Sequence, residues 1–177
     1  MDQEFLPIFY LSILVALLGG LAFFLFRQVL KTRRVENTFS QLQTKLKQGS
    51  GTAKEYYELG SLYLDKKLYV QAAQLLQKAL KVEDGLEPEN QALVYNALGY
   101  AYFAQEQYDL AIRQYKAALK ELPDYVTALN NLANVYEKKQ MTAKALETYE
   151  LALKAEPDNK TAKKRAESLR KRFAAAS

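Results

Sequence analysis

The sequence predicts an all-α chain: three helical hairpins stacked as a right-handed solenoid and closed by a C-terminal capping helix, behind one N-terminal transmembrane helix. Three observations carry this expectation. Residues 5–26, FLPIFYLSILVALLGGLAFFLF, hold no charge. Further along, a pattern of small and aromatic residues returns with a period of 34. Within that region the apolar residues recur at helical rather than strand spacing.

The apolar run comes first. As a helix, 22 residues reach roughly 33 Å, against about 30 Å of bilayer hydrocarbon. A small repeat array has no interior in which to bury such a helix. A cleaved leader fits poorly as well: Asp2 and Glu4 precede the run, the run is long, and no small-residue cleavage site follows it. Pro7 falls in the first turn, where a missing N–H costs little. Arg27, Lys31, Arg33 and Arg34 follow the run, so residues 1–4 are expected to cross and the remainder to stay on the cytoplasmic or stromal side. Ser12, Ala16 and Gly20 are four apart and form a small-residue face, a candidate packing surface for a second membrane helix.

Residues 27–52 read as a basic juxtamembrane helix and hinge. Val35, Phe39, Leu42 and Leu46 make a narrow stripe, suited to packing on the first repeat or to lying along the membrane surface. Gly49-Ser50-Gly51 breaks the helix.

The repeats occupy 53–157. In Ala92–Tyr125, the residues Tyr95, Leu98, Gly99 and Tyr102 share one helical face, and Ala111, Tyr115, Ala118 and Leu119 another. A polar turn separates them and Pro123 ends the unit. Shifting Leu98, Gly99 and Tyr102 by 34 gives Leu132, Ala133 and Tyr136. The same shift takes Ala111, Tyr115, Ala118 and Pro123 to Ala145, Tyr149, Ala152 and Pro157. Backward, with five extra residues near Asp84-Gly85, the pattern returns as Tyr56, Leu59, Gly60, Tyr63, Ala72, Leu76 and Ala79. Gly60, Gly99 and Ala133 let the paired helices approach closely, Ala72, Ala111 and Ala145 do the same from the other helix of each pair, and Tyr and Leu fill the space between them. These positions resemble the tetratricopeptide repeat, with copies at about 53–91, 92–125 and 126–159. The third copy departs with Ala133 in place of Gly, and the first lacks the terminal Pro. Helices are expected near 53–66, 69–82, 89–104, 108–121, 125–138 and 142–155. Residues 160–177 form a basic capping helix, to about Phe173, and tail. That helix supplies the polar outer face a solenoid needs; contact with anionic lipid or an acidic partner is the other reading of its lysines and arginines.

Composition narrows the chemistry. The chain has 177 residues, with no Cys, His or Trp. This removes disulfides, thiol and imidazole catalysis, and the usual zinc ligands. No catalytic residue, metal site, cofactor or small-molecule substrate is expected. The net charge of +5 is unevenly placed: −2 over 1–26, +6 over 27–54, −4 over 55–153 and +5 over 154–177. An acidic repeat region without interleaved basic and aromatic residues argues against nucleic acid.

The tetratricopeptide resemblance implies which residues face the concave groove. They are Lys54, Tyr57, Glu58, Ser61, Leu64 and Asp65 in the first repeat, then Leu93, Asn96, Ala97, Tyr100, Phe103 and Ala104 in the second. The third supplies Thr127, Asn130, Asn131, Asn134, Glu137 and Lys138. Asn96, Asn130, Asn131 and Asn134 offer donors and acceptors to a peptide backbone, unless they bond a neighbouring repeat instead. Tyr57, Leu64, Leu93, Tyr100 and Phe103 offer an apolar wall. Tyr57 and Asn131 stand where the carboxylate-clamp subset carries basic residues, so capture of a C-terminal carboxylate is not expected.

More particularly, the membrane run, RQVLKTRR, EYYELGSLYLDKKLY and YNALGYAYFAQEQYDLAIRQYKAALKELPDYVTALNNLANVYEKK resemble the small, membrane-anchored tetratricopeptide photosystem I assembly proteins of cyanobacteria and plastids. The resemblance spans nearly the whole chain. It implies a non-catalytic scaffold or chaperone in the thylakoid membrane, acting on photosystem I subunits or assembly intermediates with other assembly factors. The general alternative is a tetratricopeptide adaptor of a bacterial membrane transport or cell-envelope complex.

Overall fold

The computed structural model describes residues 5–49, 51–82 and 86–176. The acidic Asp2 and Glu4, Ser50 of the hinge and the Asp84-Gly85 insertion lie outside the described residues. Every regular element described is an α-helix: α1 (Phe5–Lys47), α2 (Ala53–Asp65), α3 (Tyr69–Ala79), α4 (Pro88–Ala104), α5 (Tyr108–Glu121), α6 (Val126–Lys138), α7 (Thr142–Ala155) and α8 (Lys160–Ala176). The chain divides into two units, 1–48 and 49–177.

The first unit is α1. The apolar run and the basic segment after it form one continuous helix. It is long and apolar enough to cross a membrane, with a mean hydropathy of 2.4 over its most apolar window. Ser12, Ala16 and Gly20 lie exposed along it, and a Cβ at Gly20 would meet nothing within 4 Å. The helix stops two residues before Gly49, whose φ of +95° suits a residue without a Cβ.

The second unit stacks its helices in chain order, each packed on the next. The first helices of the hairpins, α2, α4 and α6, also touch in sequence and form an inner layer. A capping box opens the array: Glu55 N–H donates to Thr52 Oγ1 at 3.2 Å, and Thr52 N–H donates to Glu55 Oε2 at 3.1 Å.

The core follows the repeat register. Ala72, Leu76, Leu98, Ala111, Tyr115, Ala118, Ala133, Ala145, Tyr149 and Ala152 are all buried. Close approach is real at the two repeat glycines. A Cβ at Gly60 would lie 2.9 Å from Leu76 Cγ, and one at Gly99 would lie 2.7 Å from Tyr115 Cε1. In the third hairpin Ala133 fills that place, and Tyr149 Oη there donates to Glu137 Oε1 at 2.8 Å.

All three hairpin turns share one closure. Lys67, Glu106 and Gln140 have φ of 60°, 59° and 58°. Behind them Leu68, Gln107 and Met141 N–H donate back to Tyr63, Tyr102 and Tyr136 carbonyls, each at 2.9 Å. This is the Schellman motif with a non-glycine residue in the left-handed position.

Several helix ends differ from the sequence expectation: α2 ends at Asp65 rather than 66, α4 begins at Pro88 rather than 89, and α8 runs to Ala176 rather than about Phe173. Helix α3 stops at Ala79 rather than 82, because its last turn tightens into a three-residue bond from Lys81 N–H to the Lys78 carbonyl. Tyr125, expected as the first residue of α6, is its N-cap.

Helix α8 closes the array. Ala162, Ala166 and Leu169 bury against it. Asn159 Oδ1 caps the helix by accepting from Ala162 N–H at 2.9 Å.

Candidate protein-binding cleft

The inner layer carries a cleft of about 470 Å³ lined by α2, the first hairpin turn, α3, α4 and α6. Its wall includes Tyr57 and Leu64 from α2, Asn96 and Tyr100 from α4, and Asn131 from α6. Ser61, Asp65 and Ala97, also expected on the concave side, line it too. The alternation that buries Tyr56, Leu59 and Gly60 in the hairpin turns Tyr57, Ser61 and Leu64 outward, because neighbouring helical positions point about 100° apart.

Two lining residues were not anticipated: Lys67 and Tyr69. Lys67 reaches the cleft because the left-handed turn projects it. Tyr69, at the start of α3, meets Tyr100 edge-on with ring centroids 6.2 Å apart. The sequence signal for Tyr69 was weak, since its counterparts Tyr108 and Thr142 differ in character. Tyr100 remains 42% exposed, a large apolar surface with solvent on one side.

The asparagines are tied to the repeats around them. Asn131 Nδ2 donates to Asn96 Oδ1 at 3.0 Å, and Asn96 Nδ2 lies 3.5 Å from Tyr125 Oη. Asn130 Nδ2 donates to Asn159 Oδ1 at 3.2 Å. Asn96 and Asn130 therefore do equivalent things: Asn96 reaches the residue that caps α6, and Asn130 the residue that caps α8, each 29 positions on. Burial first, and then the neighbouring Tyr57, push the Tyr125 hydroxyl above its ordinary range, while the Asn96 contact opposes them.

Ten of the residues expected on the concave side sit outside this cleft's lining: Lys54, Glu58, Leu93, Phe103, Ala104, Thr127, Asn130, Asn134, Glu137 and Lys138. Leu93 is 36% exposed. Phe103 packs on Tyr108, centroids 5.9 Å apart, beside the core shared by the second and third repeats. Asn130 is engaged with the cap, and its Oδ1 is buried without a hydrogen-bond partner. Glu137, also expected on the concave side, binds Tyr149 and lies 3.8 Å from Arg165 of α8. Its carboxylate ties the cap to the third hairpin.

The cleft offers aromatic faces, neutral amides and the hydroxyls of Ser61 and three tyrosines, with one acid and one base in its lining. Such a surface can hold an apolar side chain and pair with backbone amides. Among the described residues, no group of three or more acidic, His or Cys side chains is arranged to hold a metal.

Comparison with known proteins agrees with this architecture. Tetratricopeptide-repeat family models match residues 52–120 and 96–160. A search of solved structures finds MamA, with a TM-score of 0.73 at 22% identity over 81% of each chain. It also finds YrrB, described as a tetratricopeptide protein with an unusual peptide-binding site, at TM-score 0.66 and 22% identity, covering 74% of this chain and 65% of that one. At such identities the likeness is one of fold. Among curated proteins, PYG7 of Arabidopsis thaliana, a chloroplastic tetratricopeptide-repeat protein, is 39% identical over 92% of this chain. This chain spans 54% of the Arabidopsis protein's length. The ycf37 protein of Cyanophora paradoxa is 38% identical over 92% of this chain and 94% of its own. A fold of stacked hairpins matched by the repeat models, together with near full-length similarity to ycf37, places the chain in the tetratricopeptide-repeat family to which ycf37 and PYG7 belong.

Proposed function

We infer that this protein is a membrane-tethered scaffold or chaperone that assists the assembly or stability of photosystem I in the thylakoid membrane. The observation that carries this reading is the pairing, in one chain, of a cleft on the inner helical layer with one long apolar helix among the described residues, in a family with a chloroplastic member. The apolar helix spans the membrane once, with Arg27, Lys31, Arg33 and Arg34 holding the repeats on the cytoplasmic or stromal side. Tethering then raises the effective concentration of the cleft near membrane-inserted clients without any added contact. Tyr57, Leu64, Leu93, Tyr100 and Phe103 serve as the apolar contact surface. Asn96, Asn131 and Asn134 supply amide groups beside it, and Asn130 holds the end of that row. Ser12, Ala16 and Gly20 form the membrane-embedded contact. YrrB supports a peptide as ligand, as does a tetratricopeptide domain of Spaghetti (RPAP3) bound to an HSP90 peptide.

The test is co-purification from detergent-solubilised photosynthetic membranes. Photosystem I subunits or assembly intermediates are expected with the wild-type chain. Tyr57→Ala and Tyr100→Ala should lower that recovery while the circular dichroism spectrum stays helical. Recovery of transport or cell-envelope components alone would overturn the reading in favour of a general adaptor.

A further inference from the structure

The outward face of α8 carries a concentrated positive charge that the packing of the array does not use. Residues 160–172 sum to +6, with Glu167 as their single acid. The helix is anchored by Ala162, Ala166 and Leu169, which share one face. Two arginines beside that face are spoken for: Arg165 lies 3.8 Å from Glu137, and Arg170 Nη2 donates to Glu150 at 2.8 Å. Lys160, Lys164 and Lys171 project from the opposite side at 100° per residue, with Lys163 on the flank between, and all four are exposed. Capping a solenoid needs only a polar face; it does not need four lysines of one sign.

We propose that this lysine face binds the anionic headgroup surface of the membrane that anchors the chain. The inference rests on α1 being a membrane span. Charge distribution argues for lipid as the occupant. The region 55–153 is at −4 and is repelled by an anionic surface, whereas 154–177 is at +5 and is attracted. A tethered chain also meets this surface continuously, so a modest attraction suffices. Ala162, Ala166 and Leu169 are already buried, so among the described side chains of that stripe none is left to insert between acyl chains. Contact is therefore electrostatic and peripheral, and salt should reverse it completely.

The full chain suits a direct test, because it has no cysteine and a single one can be introduced. Ser168→Cys, at an exposed position of α8, is labelled with a fluorophore. The protein is reconstituted into nanodiscs of phosphatidylcholine, or of phosphatidylcholine with phosphatidylglycerol, each containing a headgroup-attached quencher. Quenching in phosphatidylglycerol discs at low salt is expected to exceed that in neutral discs by at least the roughly fivefold factor that a single lysine near an anionic surface contributes. It should vanish in 0.5 M salt and in a variant with Lys160, Lys163, Lys164 and Lys171 changed to Gln. A circular dichroism melt checks that this variant keeps its fold. Equal quenching in the two lipids overturns the proposal and leaves the face to solvent or to an acidic protein. Quenching that persists in high salt overturns the peripheral mode. A chain that fails to enter neutral discs overturns the span and this inference with it. None of these outcomes depends on photosystem I, so they are separable from the proposed function.

Discussion

Asn131 donates its side-chain amide to Asn96 at 3.0 Å, across the junction of the second and third repeats. The bond couples α4 to α6 at the wall of the cleft, so binding surface and repeat junction share these two side chains. Either Asn→Ala change removes a neutral hydrogen bond and leaves a part-buried partner, at a cost of about 1 kcal/mol. The double variant should cost less than the two singles added together. Urea unfolding of the four proteins measures this, and strict additivity would show that the bond contributes nothing.

The repeat glycines should differ in cost. At Gly99 an added Cβ meets the ring of Tyr115, itself 1% exposed and unable to turn aside. Gly99→Ala is expected to destabilise by about 1–3 kcal/mol. At Gly60 the obstacle is Leu76, equally buried but met at 2.9 Å rather than 2.7 Å, so Gly60→Ala should cost less. Thermal melts that rank the two the other way would contradict this account of the close approach.

Glu106 pays the steric penalty of the left-handed region with φ 59°. Glu106→Gly relieves it and should raise stability by roughly 0.5 kcal/mol, after the added freedom of the unfolded chain is subtracted. Glu106→Val should lower stability, since a β-branched residue tolerates that backbone poorly. The denaturation midpoints of both variants decide the matter. A drop for the glycine variant would mean that the Glu106 side chain matters more than its backbone.

Tyr115 and Tyr149 give the fold an alkaline limit. Burial pushes both hydroxyls above the ordinary tyrosine value of about 10; for Tyr149 the bond to Glu137 and then its charge add to that. A raised value means the folded state keeps its proton while the unfolded chain releases it. Stability is therefore complete below pH about 10 and declines as pH climbs beyond it. Tyr115→Phe should flatten the decline by up to about 1.4 kcal/mol per pH unit between pH 10.5 and 11.5. A slope identical to wild type would remove Tyr115 from the cause.

The hairpins were legible in the sequence because packing at the 34-residue period demands specific sizes. Gly99 against Tyr115 is a steric requirement, and it recurs as Gly60 against Leu76. The cleft was legible only in part. Helical geometry decides that Tyr57, Ser61, Leu64 and Tyr100 point away from the core, and these line it. Whether an outward amide meets a ligand or a neighbour depends on a residue 29 or 35 positions away, which no local pattern encodes. Tyr125 and Asn159 were read as repeat ends; a 34-residue shift relates them, and that was the available sign that both receive an asparagine. Lys67 and Tyr69 escaped because the left-handed turn that aims them shows no glycine in the sequence.

Asn159 accepts from Ala162 N–H and from Asn130, and donates to Glu156 at 3.3 Å. With Ala162, Ala166 and Leu169 turned inward, α8 occupies the place on α7 where a further hairpin would stack. Two copies approaching cap to cap would bring lysines against lysines. This end of the array is thus a terminus in the polymer sense: α8 stands where the next repeat would stack, and presents charge instead of a hairpin.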